Sequence, residues 1–235
     1  MIAAKLPYFN FKIIINFLLS LLPISFIAGN LAINLNLIFI ILASLLFWKK
    51  DFFKIKLFLI DKLLIFLFLF SILSSLISYN NFLSSDPTLT KENLIKAIVY
   101  FRYLLFYFSI RLIIEKKYFN FRTFFISSSA CVIFVSLDLI LQFFSGENIF
   151  GLPKSDFKVS GPFGDELIAG SYLQRFCLFL FFLVPFYKDY FSKINLNLFL
   201  ILVFVILFFS IVIAGNRMSV VLFMLLFIFL FLLEK

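Results

Sequence analysis

Long apolar runs alternate with short polar ones along the whole chain. Eight runs, at about 11–28, 31–48, 57–79, 94–114, 123–145, 167–187, 197–214 and 218–233, each come close to the length at which a helix crosses a bilayer. They are apolar on every side, which excludes the strands of a membrane barrel, whose residues alternate between lipid and lumen. The pattern predicts an all-α, polytopic transmembrane bundle of about eight spans, forming a single domain over 1–235. The first run is read as a retained helix and not as a cleaved signal peptide, because a second span follows at once and no small-residue cleavage site separates them.

Composition agrees: 64% of the residues are hydrophobic and 40 are phenylalanine. The net charge of +9 would suggest nucleic acid in a soluble domain. Here the basic residues fall in "WKKDFFKIK", "EKKYFNFR" and "KDYFSKI", three clusters between spans. That is how cytoplasmic loops are marked, so nucleic acid is not expected as a partner and both termini are placed in the cytoplasm. The stretches 78–93, 146–166 and 214–217 then face the other side, which is the periplasm in a bacterium. Cys131 and Cys177 each sit within an apolar run and read as small core residues. The chain has no His, so these residues contain neither a His-ligated metal nor a His base.

A charge inside a span is costly and needs a partner, water or a nearby interface. Lys12, Asp61, Lys62, Lys96 and Arg111 lie near span ends and are expected to snorkel. Arg102 is deeper, about 12 Å from the end of its span at 1.5 Å per residue. Asp138 lies about 10 Å from the same surface on the next span, with Gln142 one turn further out on the same face. The two are expected to form an ion pair. Arg175 is about 12 Å deep by the same count, and Arg217 opens the last span. Three arginines and one carboxylate at one depth suit an anionic headgroup, because guanidinium presents a planar fork of donors and remains ionised.

The least membrane-like stretch is "KVSGPFGDELIAGSYLQRF", residues 158–176. Gly161, Pro162 and Gly164 predict a tight turn, Asp165 is placed to cap the sixth span, and Glu166 is placed in its first turn. This stretch, followed about forty residues later by "AGNRMSVVLFMLL", resembles the O-antigen ligase and O-antigen polymerase family of bacterial inner-membrane proteins. In that family an R-x-S-G-x-F turn precedes one span and a short turn ending in Arg precedes another. Lys158 stands where the first motif has Arg, and Arg217 stands in the second.

The resemblance implies a metal-independent, class C glycosyltransferase-like bundle without cofactors. Its substrate would be a glycan on undecaprenyl pyrophosphate, and its acceptor lipid A core or a second carrier-linked glycan, with membrane lipids around it. Arg217, Arg175 and Arg102 would bind the pyrophosphate, supported by Asp138, Asp165, Glu166 and Lys158, and no catalytic residue is assigned. The resemblance covers about the first two thirds of a typical member, whose proposed His base follows these spans, so activity is expected to need residues beyond 235. A transporter or flippase of a lipid-linked anion is the alternative, and would bring broken helices and related halves. A structural subunit is the second.

Overall fold

Apolar sequence at helical length dictates helix wherever backbone groups cannot bond to water. The computed structural model describes residues 11–52, 54–80, 87–154, 158–187 and 193–233, and among them the regular elements are helices without any strand. They are α1 (Phe11–Ser20), α2 (Leu22–Ala28), α3 (Asn30–Phe52), α4 (Leu59–Asn80), α5 (Pro87–Glu115), α6 (Phe121–Ser145), α7 (Ala169–Leu183), α8 (Lys193–Ile213) and α9 (Arg217–Leu233). Six helices are long and apolar enough to cross a membrane, and α1 with α2 make a seventh candidate bent by 42°. The bend falls where Pro23 enters the first turn of α2, and proline cannot supply the amide that a continuous helix needs there. α9 is a shorter apolar helix. The molecule is thus a multi-pass membrane protein by its helices.

Several boundaries differ from expectation. α5 begins at Pro87, seven residues before the predicted span, so part of the expected loop 78–93 is helix. Pro at a first helical position accounts for the early start, its missing amide being one that no helix bond would use. Residues 81–86 lie outside the described residues. α3 carries a kink at Trp48, whose backbone angles (φ −128°, ψ 34°) are not helical.

The chain divides into two compact units: residues 1–18 with 34–119, and residues 19–33 with 120–235. In the first, Phe11 stacks on Phe47 with ring centres 3.7 Å apart, and Trp48 meets both Phe11 and Tyr118 edge-on. The Asn16 amide donates to the Tyr118 carbonyl over 2.8 Å, and Lys116 pairs with Asp51 at 2.6 Å.

Asp61 and Arg111 correct the expectation that they snorkel. Asp61 is 1% exposed and accepts three hydrogen bonds, from the Phe58 amide, the Tyr107 hydroxyl and the Arg111 guanidinium. Arg111 also donates to Glu115 and to the Lys56 carbonyl, and lies over the Phe58 ring. Lipid cannot solvate a carboxylate, so a cation on the neighbouring helix replaces water. The network ties α4 to α5.

In the second unit, Val132, Val135 and Leu139 of α6 meet Leu173 and Cys177 of α7, Leu207 and Ile211 of α8 and Phe223 of α9 in one buried core. Cys131 and Cys177 are buried free thiols, as their apolar settings predict.

Candidate functional site

The site is built in the second unit by two turns, each held by small polar residues. The first turn follows α6, which ends at Gly146 in the left-handed region (φ 87°). Asn148 then closes the chain on itself: its side-chain oxygen accepts from the Phe150 and Leu152 amides at 3.0 and 2.8 Å. This is the local bonding that makes Asn a turn former.

Three buried side chains brace the turn against α6. Asp138 accepts from the Ile149 amide at 2.8 Å. Gln142 donates to the Leu152 carbonyl at 3.1 Å and accepts from the Gly161 amide at 2.7 Å. The Asn148 amide group donates to the Gly161 carbonyl at 2.6 Å. Gly161 sits at φ 60°, and a Cβ there would meet Leu139 at 3.2 Å. Glycine is required by conformation and by space together. Residues 161–163 form the expected tight turn, as a single 3-10 turn with Pro162 in it.

The second turn joins α8 to α9. Gly215 is left-handed (φ 70°), and the Asn216 carbonyl accepts the amides of Ser219 and Val220 as α9 begins at Arg217. A glycine on α7 lets this turn approach: a Cβ on Gly170 would stand 3.3 Å from the Cβ atoms of both Ala214 and Asn216. The Asn216 amide group donates to the Ser171 hydroxyl at 2.9 Å, and the Ser171 and Ser219 hydroxyls are 3.2 Å apart. The two stretches singled out in the sequence therefore meet at a seam of Gly170, Ser171, Asn216 and Ser219. None of these four was singled out as a site residue. The signal for them was small polar residues clustered at two span ends.

Beside this seam lies a cavity of about 980 Å³, lined by Lys158, Leu167, Gly215, Asn216, Arg217 and Met218 together with valines and Ala214. Among the described residues its lining contains two cations and no acid. Lys158 and Arg217, from motifs almost sixty residues apart, are brought to one place. The start of α9 adds its backbone amides and positive dipole end, so the chemistry on offer is recognition of an anion.

The other predicted residues fall elsewhere. Arg175 is exposed on α7 and is not among the cavity-lining residues. Asp165 does not cap: α7 starts at Ala169 after Ile168, and no side chain caps it. The chain spends residues 164–168 on turns, so Asp165 comes too early, and Glu166 lies before the helix and not in its first turn. Both are exposed, and Glu166 accepts a long 3.5 Å bond from Asn30. Arg102, in the first unit, bonds the Tyr103 hydroxyl at 3.2 Å and lies over that ring, while its Nε is buried without a partner. Asp138 uses one oxygen for Ile149, and its other oxygen has no hydrogen-bond partner. Arg102 belongs to the first unit and Asp138 to the second, and each bonds a local partner within its own unit. Among the described residues no three Cys, Asp or Glu converge as metal ligands. No family model matches the chain, and no curated protein or solved structure matches it either.

Proposed function

We propose that the chain takes part in transfer or polymerisation of a glycan carried on undecaprenyl pyrophosphate, in the manner of O-antigen ligases and polymerases, at the periplasmic face of a bacterial inner membrane. The observation that carries this reading is the cavity that Lys158 and Arg217 line together at the start of α9, with no acid among its described lining residues. A diphosphate needs more than one cation and profits from backbone amides, and the cavity offers both. Arg217 grips the diphosphate as a fork, Lys158 adds a second charge, and Asn216 orients the turn by its bond to Ser171. Both termini are cytoplasmic in this arrangement, and the acceptor is lipid A core or a second carrier-linked glycan. The role of these residues is to hold the carrier, and bond cleavage is not assigned to any of them.

The test is Arg217→Ala and Arg217→Lys in the full-length protein, scoring glycan transfer and membrane abundance together. Loss of one donor to developing charge costs about 100-fold in comparable sites, so Arg217→Ala is expected to lose transfer on that order at normal abundance. Arg217→Lys recovers part of it, since it restores charge and not the fork. Full transfer by Arg217→Ala at normal abundance rejects the reading.

One observation favours a second reading, movement of a lipid-linked anion across the membrane. The 42° break between α1 and α2 is the kind of interrupted span that transporters use. Flipping of a fluorescent lipid-linked diphosphate by the protein in vesicles, without any transfer, would select it.

A further inference from the structure

The start of α1, the end of α3, the start of α4 and the end of α5 are gathered at one end of the first unit. Phe11 stacks on Phe47, Trp48 meets Tyr118 edge-on, the Asn16 amide reaches the Tyr118 carbonyl, and Arg111 donates to the Lys56 carbonyl at 2.7 Å. These ends carry the exposed lysines Lys12, Lys54, Lys56, Lys62 and Lys117. The described acids here are already engaged, Asp51 with Lys116, and Asp61 and Glu115 with Arg111. Among the described residues none of the five lysines forms an ion pair.

Lys117 differs from the others in its backbone. It is the one non-glycine among the described residues in the left-handed region (φ 59°). α5 closes on it, with the Lys117 amide bonded to the Ile114 carbonyl at 2.9 Å and the Tyr118 amide to the Ile113 carbonyl at 3.1 Å. Glycine usually fills that position of such a helix ending. A side chain is strained there, so the fold of α5 gains nothing from lysine over glycine, and the charge needs another account.

We propose that this end of the first unit binds the phosphate groups of anionic lipids in the leaflet it meets, through Lys12, Lys54, Lys56, Lys62 and Lys117. Leu59 opens one candidate span and Glu115 closes another, so the lysines lie at the membrane surface, with Trp48 and Tyr118 at the level where such rings collect. Residues 55–58 are irregular backbone, which has to lie where water or headgroups can bond to it. In and beside that link the lysines are interleaved with exposed Leu57, Leu59 and Ile60, so a lipid's phosphate and its chain both find a partner. A soluble acidic protein would use the lysines and leave those apolar side chains without a role. All five cations are lysines, compact charges on flexible stems that suit mobile headgroups, whereas an arginine fork suits one fixed phosphate. The proposal stands on the first unit alone and does not depend on the transfer reading.

Trp48 is the chain's single tryptophan and lies at this end, so its fluorescence reports the lipid beside it. The whole protein is placed in phosphatidylcholine vesicles, and quenching of Trp48 by phosphatidylglycerol with brominated chains is compared with quenching by brominated phosphatidylcholine at equal mole fraction. The anionic lipid should associate at least about fivefold more strongly, the effect of one lysine near an anionic surface, and about 0.5 M salt should shrink the preference. Lys54→Gln, Lys56→Gln and Lys62→Gln together should bring it below about twofold, while Lys96→Gln, towards the start of α5, should leave it unchanged. Lys117→Gly should weaken the preference and yet raise the unfolding midpoint in neutral detergent by about 2 °C, since glycine relieves the backbone, a split that a merely structural lysine would not produce. Equal quenching by both lipids, a preference that survives the triple change, or one that Lys96→Gln lowers as much, would show that these lysines select no lipid. Loss of the preference to glycerol phosphate or polyglutamate, where sodium chloride of the same ionic strength preserves it, would show a free phosphate or an acidic protein as the occupant. Each of these results overturns the proposal.

Discussion

Asp61 and Asp138 are both buried aspartates within apolar helices, and they are solved in opposite ways. Asp61 faces a cation: Arg111 reaches it from α5, Tyr107 adds a hydroxyl, and the Phe58 amide completes the set. Asp138 is 0% exposed, and among the described residues of its unit it takes one hydrogen bond, from the Ile149 amide, and no ion pair. The first carboxylate joins two helices. The second braces a turn, alongside Gln142 and Asn148, and through that turn supports the approach of Lys158 to the cavity of Arg217. A buried acid therefore reveals little by its depth alone. Its consequence lies in what completes its lone pairs.

The comparison breaks first, and hardest, at Arg111. Arg111→Met leaves Asp61 with charge and no counter-charge in a helix interface, which is the costliest way to damage a buried pair. Thermal unfolding in detergent is expected to fall by on the order of 10 °C. Asp61→Asn combined with Arg111→Met should cost less than the sum of the two single changes, since no ion is stranded in the double variant. Additive shifts would show that the contact carries no coupling, and the contrast with Asp138 would collapse.

Next in size is Gly161. A Cβ there must accept a left-handed backbone and push against Leu139 at 3.2 Å, with an Asp138 oxygen 3.7 Å away. Strain and overpacking together should lower the midpoint by roughly 6 °C for Gly161→Ala. Because the Gly161 amide donates to Gln142 and its carbonyl accepts from Asn148, the same variant should loosen the turn as a whole. Hydrogen exchange at the Ile149 and Leu152 amides would report this, and unchanged protection there would separate Gly161 from the brace. Gly170→Ala should cost about half as much, near 3 °C, since its helical backbone tolerates Ala and only the contacts to Ala214 and Asn216 at 3.3 Å must relax. A larger loss than at Gly161 would mean that the α7–α9 seam, and not the brace, governs this unit.

That the chain is helical and crosses a membrane several times was legible because lipid enforces one pattern on every crossing segment, and that pattern is apolar length. The 3-10 turn at Gly161 was legible too, since Gly-Pro-x-Gly permits few backbones. Lys158 and Arg217 were drawn from sequence motifs, and the cavity brings them together. What could not be read was pairing. Asp61 and Arg111 looked like snorkelling end residues because sequence gives depth along a helix and not the rotation that turns two side chains toward each other. Asn148, Ser171, Asn216 and Ser219 escaped notice because a single small polar residue at a span end is common, and only contact distinguishes those that bridge.

The sharpest remaining test of the comparison has the smallest expected effect. Asp138→Asn keeps a side-chain oxygen that can accept from the Ile149 amide, and it replaces the oxygen that lacks a hydrogen-bond partner by an NH₂ group of the same size. No counter-ion is stranded among the described residues of its unit, where Asp138 makes no ion pair. The change should therefore shift the unfolding midpoint by less than about 2 °C, whereas Asp138→Leu, which removes the acceptor and leaves the amide unpaired, should cost about 4 °C. If the cavity binds the carrier as proposed, that binding should follow the same order, because Asp138 touches the turn and is not among the cavity-lining residues. If Asp138→Asn instead lost as much as Arg111→Met, the carboxylate at 138 would be answering a charge, and the two aspartates would be two versions of one device.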